Sequence, residues 1–426
     1  MTVHHGPLFG HKYICKQLSI KYDNRSYPLS PEAEQAAILF AHVPDKHLDK
    51  VFISNFTAAF KKLASFCYVL QKCDFSPFKT IDINYEPIPK GVEDRHKYCY
   101  IKGKKLNVHN YIVEPTCIFK GRGLHPKRGT IKTQVKPADF TINASVSVDC
   151  PNGCSWGKVI NNPSVAWLAS YKDSLGITKY IYADQPDNLK KFEVSRKLKY
   201  KIKGIRESIN DVLCDHNSST KYKQLACATW LIDKLLIRVG NEKTQLTADT
   251  VGVCTLRCEH VTLLSNMYIR FHFKGKDSII FNKKIKCPTN VYNSIKSFVT
   301  KPTCQLFTEI DADTVNKFLS HFMQNLTAKV FRTFHASRKF QSLLSRCSTS
   351  KEYKKANKEI GKLCNHMLNR NGKLHISSHT SKVNYIDPRI TFAFAKKHKI
   401  DINELLPTTL LKLHKWASSV DESFSF

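Results

Sequence analysis

Near residue 187 the character of the chain changes. Before it, short runs rich in β-branched and aromatic residues are punctuated by glycine and proline; after it, apolar residues recur at helical intervals. No internal repeat or low-complexity tract interrupts either half. The break predicts an α+β protein of more than one domain, with a β-containing front and a helical back. At roughly 150 residues per domain, the length of 426 residues allows two or three. In the front, residues 31–41 and 52–66 have helical spacing. The proline-rich run YEPIPKGVE at 85–93 reads as a boundary, and residues 98–101, 140–148 and 164–170 read as strands of a small, mostly β module. In the back, YIRFHFK at 268–274 alternates, Gly275 turns the chain, and residues 278–281 return, which puts Lys276 and Asp277 at the turn.

Charge narrows the function. Lys and Arg number 67 against 35 Asp and Glu, a net charge of +32, while 42% of residues are hydrophobic. The apolar content excludes a disordered basic tail. The charge points to a polyanion, nucleic acid first and an anionic membrane surface second. The longest apolar stretch, 225–239, is broken by Asp233 and Lys234, so no bilayer span is expected, and the first residues do not read as a signal peptide. The 15 cysteines are odd in number and scattered, which predicts reduced thiols. Cys150 with Cys154 and Cys254 with Cys258 are C-x-x-x-C pairs, a weak zinc signal, and read as packed or surface thiols.

Two basic segments could meet phosphates. Residues 190–206 hold eight Lys/Arg and one Glu, with Val194, Leu198, Ile202 and Ile205 as a helical apolar stripe. Residues 119–136 hold six Lys/Arg and no acid, with glycines flanking Arg122. Four further residues are ambiguous alone. Arg238 is expected at the end of a helix over 221–238 that Gly240 caps, where a cation suits the dipole. Arg332 lies off the stripe marked by Val330 and Phe334. His366 follows Ile360, Leu363 and Cys364 on another helix. Tyr385 precedes Asp387-Pro388, a helix start.

Taken together, KLLIRVGNEKT, ADTVG, FKGKDSI, LTAKVFRT, LCNH and TSKVNYIDPRIT resemble, in order, the signature blocks of eukaryotic type IB DNA topoisomerases. HHGPLFG, LSPEAE, KCDF, EPTCIFKGRGLHPKRG and KYIY resemble the earlier core of that family. The resemblance implies a monomeric multi-domain clamp on supercoiled duplex DNA. Its parts would be a cap (1–93), a mostly β core subdomain (94–186), a helical, tyrosine-recombinase-like catalytic lobe (187–366), a vestigial linker (367–379) and a tyrosine segment (380–426).

The resemblance also implies roles. Tyr385 would attack a phosphodiester to give a 3′-phosphotyrosyl bond. Arg238, Arg332 and His366 would hold the non-bridging oxygens, and Lys276 would protonate the leaving oxygen. Asn241 and Thr380 would meet phosphates, and Arg122, Lys132 and Asp277 would line the duplex, with Arg122 paired to Asp277. Arg122, Asp277 and Asn384 would confer camptothecin sensitivity. No cofactor, metal or membrane is implied, and the nucleus is the expected compartment. The family's long linker between its histidine and tyrosine blocks is replaced by 18 residues, 367–384, with the turn Asn371-Gly372. A tyrosine recombinase and a non-catalytic architectural DNA-binding protein are the alternatives.

Overall fold

A computed structural model describes residues 2–10, 12–67, 69–89, 91–121, 125–184, 188–241, 249–370 and 373–426. Among these, residues up to 184 form one compact unit and those from 188 onward another. No helix of the described residues is long and apolar enough to cross a membrane.

The front unit has two cores. In the first, Pro31–Ala41 (α1) starts where Ser30 accepts a bond from the Ala33 N–H (3.2 Å) and proline takes the first turn. Lys50–Leu63 (α2) is capped by Asp49. It places Phe52, Phe56 and Phe60 four apart on one fully buried face, and the last two rings lie 5.4 Å apart. The helix stops at Leu63, short of the expected 66, and Ala64 closes it onto the Phe60 carbonyl.

The second core lies under a seven-stranded sheet made of Thr2–His4 (β1), Tyr98–Ile101 (β2), Lys104–His109 (β3), Phe140–Asn143 (β4), Lys158–Ile160 (β5), Trp167–Lys172 (β6) and Thr178–Ala183 (β7). Its order is β1-β2-β3-β7-β6-β4-β5, with only β4 and β5 parallel. Strand β4 ends at Asn143 rather than running to 148. The Asn143 amide turns inward and donates to the carbonyls of Asn162 and Trp167, each at 3.1 Å.

The back unit is built on Asn188–Cys214 (α3) and Thr220–Leu235 (α4). Helix α3 buries Leu198, Ile202, Ile205 and Ile209 and leaves Lys197, Lys199, Lys201 and Lys203 exposed, so the stripe and the basic face fall as the spacing predicts. Helix α4 is buried almost throughout, including Asp233. That carboxylate receives two bonds from Arg206 of α3 (2.9 and 3.1 Å) and pairs with His335 at 2.7 Å. Burial raises the Asp233 pKa, but His335 and Arg206 outweigh it and hold the group down at about 2.

Val261–Leu264 (β8), Tyr268–Lys274 (β9) and Ile280–Lys286 (β10) form an antiparallel sheet, with Phe273 opposite Phe281 and Phe271 opposite Lys283. Ala328–Leu344 (α5) and Ser350–Leu363 (α6) follow. Met367–Arg370 (β11) pairs with Lys373–Ile376 (β12). Ser378–Asn384 (α7) then leads to Pro388–Lys397 (α8), which Asp387 caps as the sequence indicates.

One further expectation is corrected. Helix α4 ends at Leu235, three residues before Arg238, and its cap is Leu236 in the left-handed region (φ 56°), not Gly240. The Leu236 carbonyl is occupied by the Arg332 guanidinium, which fixes the chain's exit there. Arg332 in turn is 6% exposed, although it lies off the Val330–Phe334 stripe. Helix α5 is buried on most of its circumference, and the guanidinium bonds the Leu236 carbonyl and the Tyr385 hydroxyl while still lining a cleft.

Candidate active site

The segment after α4 carries Arg238 past residues 251–254 in an extended crossing. The Val253 N–H donates to the Arg238 carbonyl and the Cys254 N–H to that of Val239, both at 2.8 Å. Two glycines allow the approach. A Cβ on Gly252 would stand 2.4 Å from the Gly240 Cα and 2.8 Å from the Arg238 oxygen. Lys276 opens the short turn between β9 and β10, closed by the Gly275 N–H on the Ile279 carbonyl (2.8 Å).

Helix α5 supplies Arg332. Its Nε donates to the Leu236 carbonyl at 3.1 Å, Nη2 donates to the same oxygen, and Nη1 donates to the Tyr385 hydroxyl at 3.3 Å. His366, expected on a helix, lies instead just past the end of α6 at Leu363, its N–H on the Gly361 carbonyl (2.8 Å) and its carbonyl taken by the Ser377 N–H (2.7 Å). The His366 and Tyr385 rings stack with centroids 5.2 Å apart at 24°. Arg238, Lys276, Arg332, His366 and Thr380 together line one cleft of about 100 Å³. Tyr385, 5% exposed, adjoins that cleft through Arg332.

The electrostatics follow from this crowding of cations. Burial alone would raise the Tyr385 phenol, but the charges of Arg332 and Arg238, the Arg332 hydrogen bond and Lys329 outweigh it and leave the pKa below its ordinary value. His366 is pushed down to about 3, first by burial and then by Arg332, Arg238 and Lys276, so its imidazole is neutral at physiological pH. Its Nδ1 lies 2.8 Å from the Ser381 hydroxyl, and its buried Nε2 has no partner among the described residues. The arrangement brings guanidinium and ammonium charge and a neutral imidazole together around one small cleft beside a phenol.

The five residues proposed for chemistry therefore converge, and Thr380 joins them, its hydroxyl 2.9 Å from that of Ser377. Asn384 immediately precedes the tyrosine and donates to the Thr380 carbonyl (3.1 Å). Asn241 is exposed just beyond the Gly240 crossing. Asp277 lies in the hairpin turn, its side chain outside the described atoms. Lys132 belongs to the front unit, where it is buried against Glu114 and lies 3.6 Å from Asp173. Arg122 lies outside the described residues.

Three residues escaped the sequence reading. Ser337 of α5 donates to the Tyr385 carbonyl (3.0 Å) and accepts from the Asp387 N–H (2.9 Å), so it straddles the tyrosine. Ser381 of α7 reaches His366, while its carbonyl accepts from the Tyr385 and Ile386 N–H groups (2.9 and 3.0 Å). Lone serines carry no spacing signal. Lys283 is different: it shares strand parity with inward-facing Phe281, an alternation that could have found it. Burial and the nearby Arg332 push its ammonium pKa down.

Comparison with known proteins decides the family. A model of the eukaryotic DNA topoisomerase I catalytic core matches residues 183–399, and one of the DNA binding fragment of the same enzyme matches 1–86 and 86–183. The chain belongs to the eukaryotic DNA topoisomerase I family. It is 29% identical to DNA topoisomerase 1 of Caenorhabditis elegans over 99% of its own length and 67% of that protein's. It is 28% identical to the Homo sapiens DNA topoisomerase 1 over 99% and 71% of the two chains. It is 33% identical to that of Candidozyma auris over 85% and 54%. The chain thus spans between about half and somewhat over two thirds of the length of these topoisomerase relatives.

Proposed function

We propose that the protein relaxes positive and negative DNA supercoils as a type IB topoisomerase. It would cut one strand through a 3′-phosphotyrosyl bond, let that strand rotate, and reseal it. The observation that carries this reading is the convergence of Arg238, Lys276, Arg332 and His366 on one cleft with the Tyr385 hydroxyl held by Arg332.

A free phenol has a pKa of about 10 and is ionised in only about one molecule in a thousand at pH 7, so the lowered value of Tyr385 supplies more nucleophile. The phenolic oxygen forms a bond to phosphorus as the bond to the 5′ oxygen breaks. Arg238, Arg332 and the neutral imidazole of His366 stabilise charge on the non-bridging oxygens. Lys276 gives the departing 5′ oxygen its proton, because an alkoxide is too basic to leave unassisted. Resealing reverses each transfer. The covalent link conserves the phosphodiester, so closure draws on no nucleotide. The basic face of α3 and the front unit supply duplex contacts, and the helical back unit is read as a tyrosine-recombinase-like lobe acting as a monomer in the nucleus.

The test uses supercoiled plasmid without a special site, in EDTA and without ATP. Relaxation of both supercoil signs, abolished by Tyr385→Phe with an unchanged melting temperature, is expected. Products confined to particular sites would instead indicate a recombinase, and binding without strand passage an architectural protein.

A further inference from the structure

We infer that Ser381, acting as a hydrogen-bond donor, fixes His366 in the tautomer whose proton sits on Nε2, so that a neutral imidazole offers an N–H to the phosphate that the proposed function places in the cleft. Ser381 is thus a positioning residue acting through His366.

A neutral imidazole has one N–H and one lone pair, and the partner of one nitrogen decides the state of the other. Ser381 is fully buried, and its hydroxyl has His366 Nδ1, at 2.8 Å, as its partner among the described hydrogen bonds. Were Nδ1 the protonated atom, the serine would accept from it, and its own hydroxyl hydrogen would be buried with no acceptor. An unmade buried hydrogen bond costs about 1–3 kcal/mol. Nε2 would then meet the phosphate oxygen lone pair to lone pair. With the serine as donor, its hydroxyl hydrogen and Nδ1 are both satisfied. The one unpaired group is Nε2–H, which is the orphaned buried atom observed on a residue that lines the cleft. The same serine accepts, through its carbonyl, the N–H groups of Tyr385 and Ile386. One residue therefore sets both the histidine's proton and the tyrosine's backbone.

The experiment uses the full chain labelled with 15N-histidine, the His366 signals being identified by their loss in His366→Gln. The wild type is expected to show Nε2 protonated and Nδ1 as a lone pair. Ser381→Ala is expected to mix or reverse the tautomers and to slow single-turnover cleavage about 10- to 100-fold, the range typical of lost partners behind an active group. Ser381→Thr, which keeps the hydroxyl, should restore both. Adding Ser381→Ala to His366→Gln should slow cleavage little further. Protonated Nδ1 in the wild type, an unchanged tautomer in Ser381→Ala, or fully additive losses would overturn the inference. These outcomes stand apart from those that test the proposed function, which turns on relaxation by the wild type and its loss in Tyr385→Phe.

Discussion

Replacing Gly252 by alanine tests how tightly the backbone crossing holds Arg238. Gly252 has φ −125° and ψ −173°, ordinary for any L-residue, so alanine adds no torsional strain. The cost comes from contact. The new methyl would lie 2.4 Å from the Gly240 Cα and 2.5 Å from its nitrogen, and ordinary contact begins near 3.4 Å. Both obstacles are backbone, so no rotamer change relieves them, and the strands must part by about 1 Å. Overpacking of this kind costs about 1–3 kcal/mol of stability. In the proposed role of Arg238 at the reacting phosphate, a displacement of about 1 Å costs about 100-fold in rate, or about 2.7 kcal/mol. The assay is single-turnover cleavage of a duplex from which the downstream fragment escapes, with DNA affinity measured at the same salt. Gly204→Ala, whose methyl meets nothing within 4 Å, serves as the control and should cleave normally. Cleavage by Gly252→Ala within about threefold of wild type would show that the crossing does not position Arg238.

Four other outcomes are expected. Since Asp233 is held at about 2 against an ordinary 3.8, its contribution of roughly 2 kcal/mol is complete above about pH 4 and fades as pH falls toward 2; acid melting curves of Asp233→Asn should lack that dependence. His366 remains neutral down to about pH 3, so the cleavage profile should contain no limb near 6.5 that His366→Gln removes. Ser337→Ala leaves the Tyr385 carbonyl and Asp387 N–H without their shared partner, and should cost about 1–3 kcal/mol in melting experiments while slowing cleavage more than it weakens DNA binding. With so short a connection between His366 and Tyr385, relaxation should be distributive and lost at modest salt; processive relaxation at high salt would contradict this.

How far the sequence revealed the site depended on the kind of interaction. Periodicity found α1, the basic stripe of α3 and the hairpin that carries Lys276, because burial of one face imprints a regular spacing. It misplaced the end of α4, since the decisive partner of Leu236 is a guanidinium 96 residues away. It set Arg332 off the apolar stripe of α5 and gave no sign that a carbonyl and a phenol would hold its guanidinium in the interior. The roles of Ser337 and Ser381 depend on single long-range contacts that leave no local trace. The grouping of Tyr385 with three cations came from matching blocks in order, since no single block's spacing specifies it.

The β11–β12 hairpin leaves His366 and returns at Ser377, and these two residues are already joined by a 2.7 Å bond from the Ser377 N–H to the His366 carbonyl. The imidazole and the start of the tyrosine's own helix are thus stitched at the base of the excursion. Whatever length of chain hangs from its far end, the spacing between His366 and the helix that leads to Tyr385 is set below it. Changes of length beyond this bond therefore leave the relation between His366 and the Tyr385 segment intact.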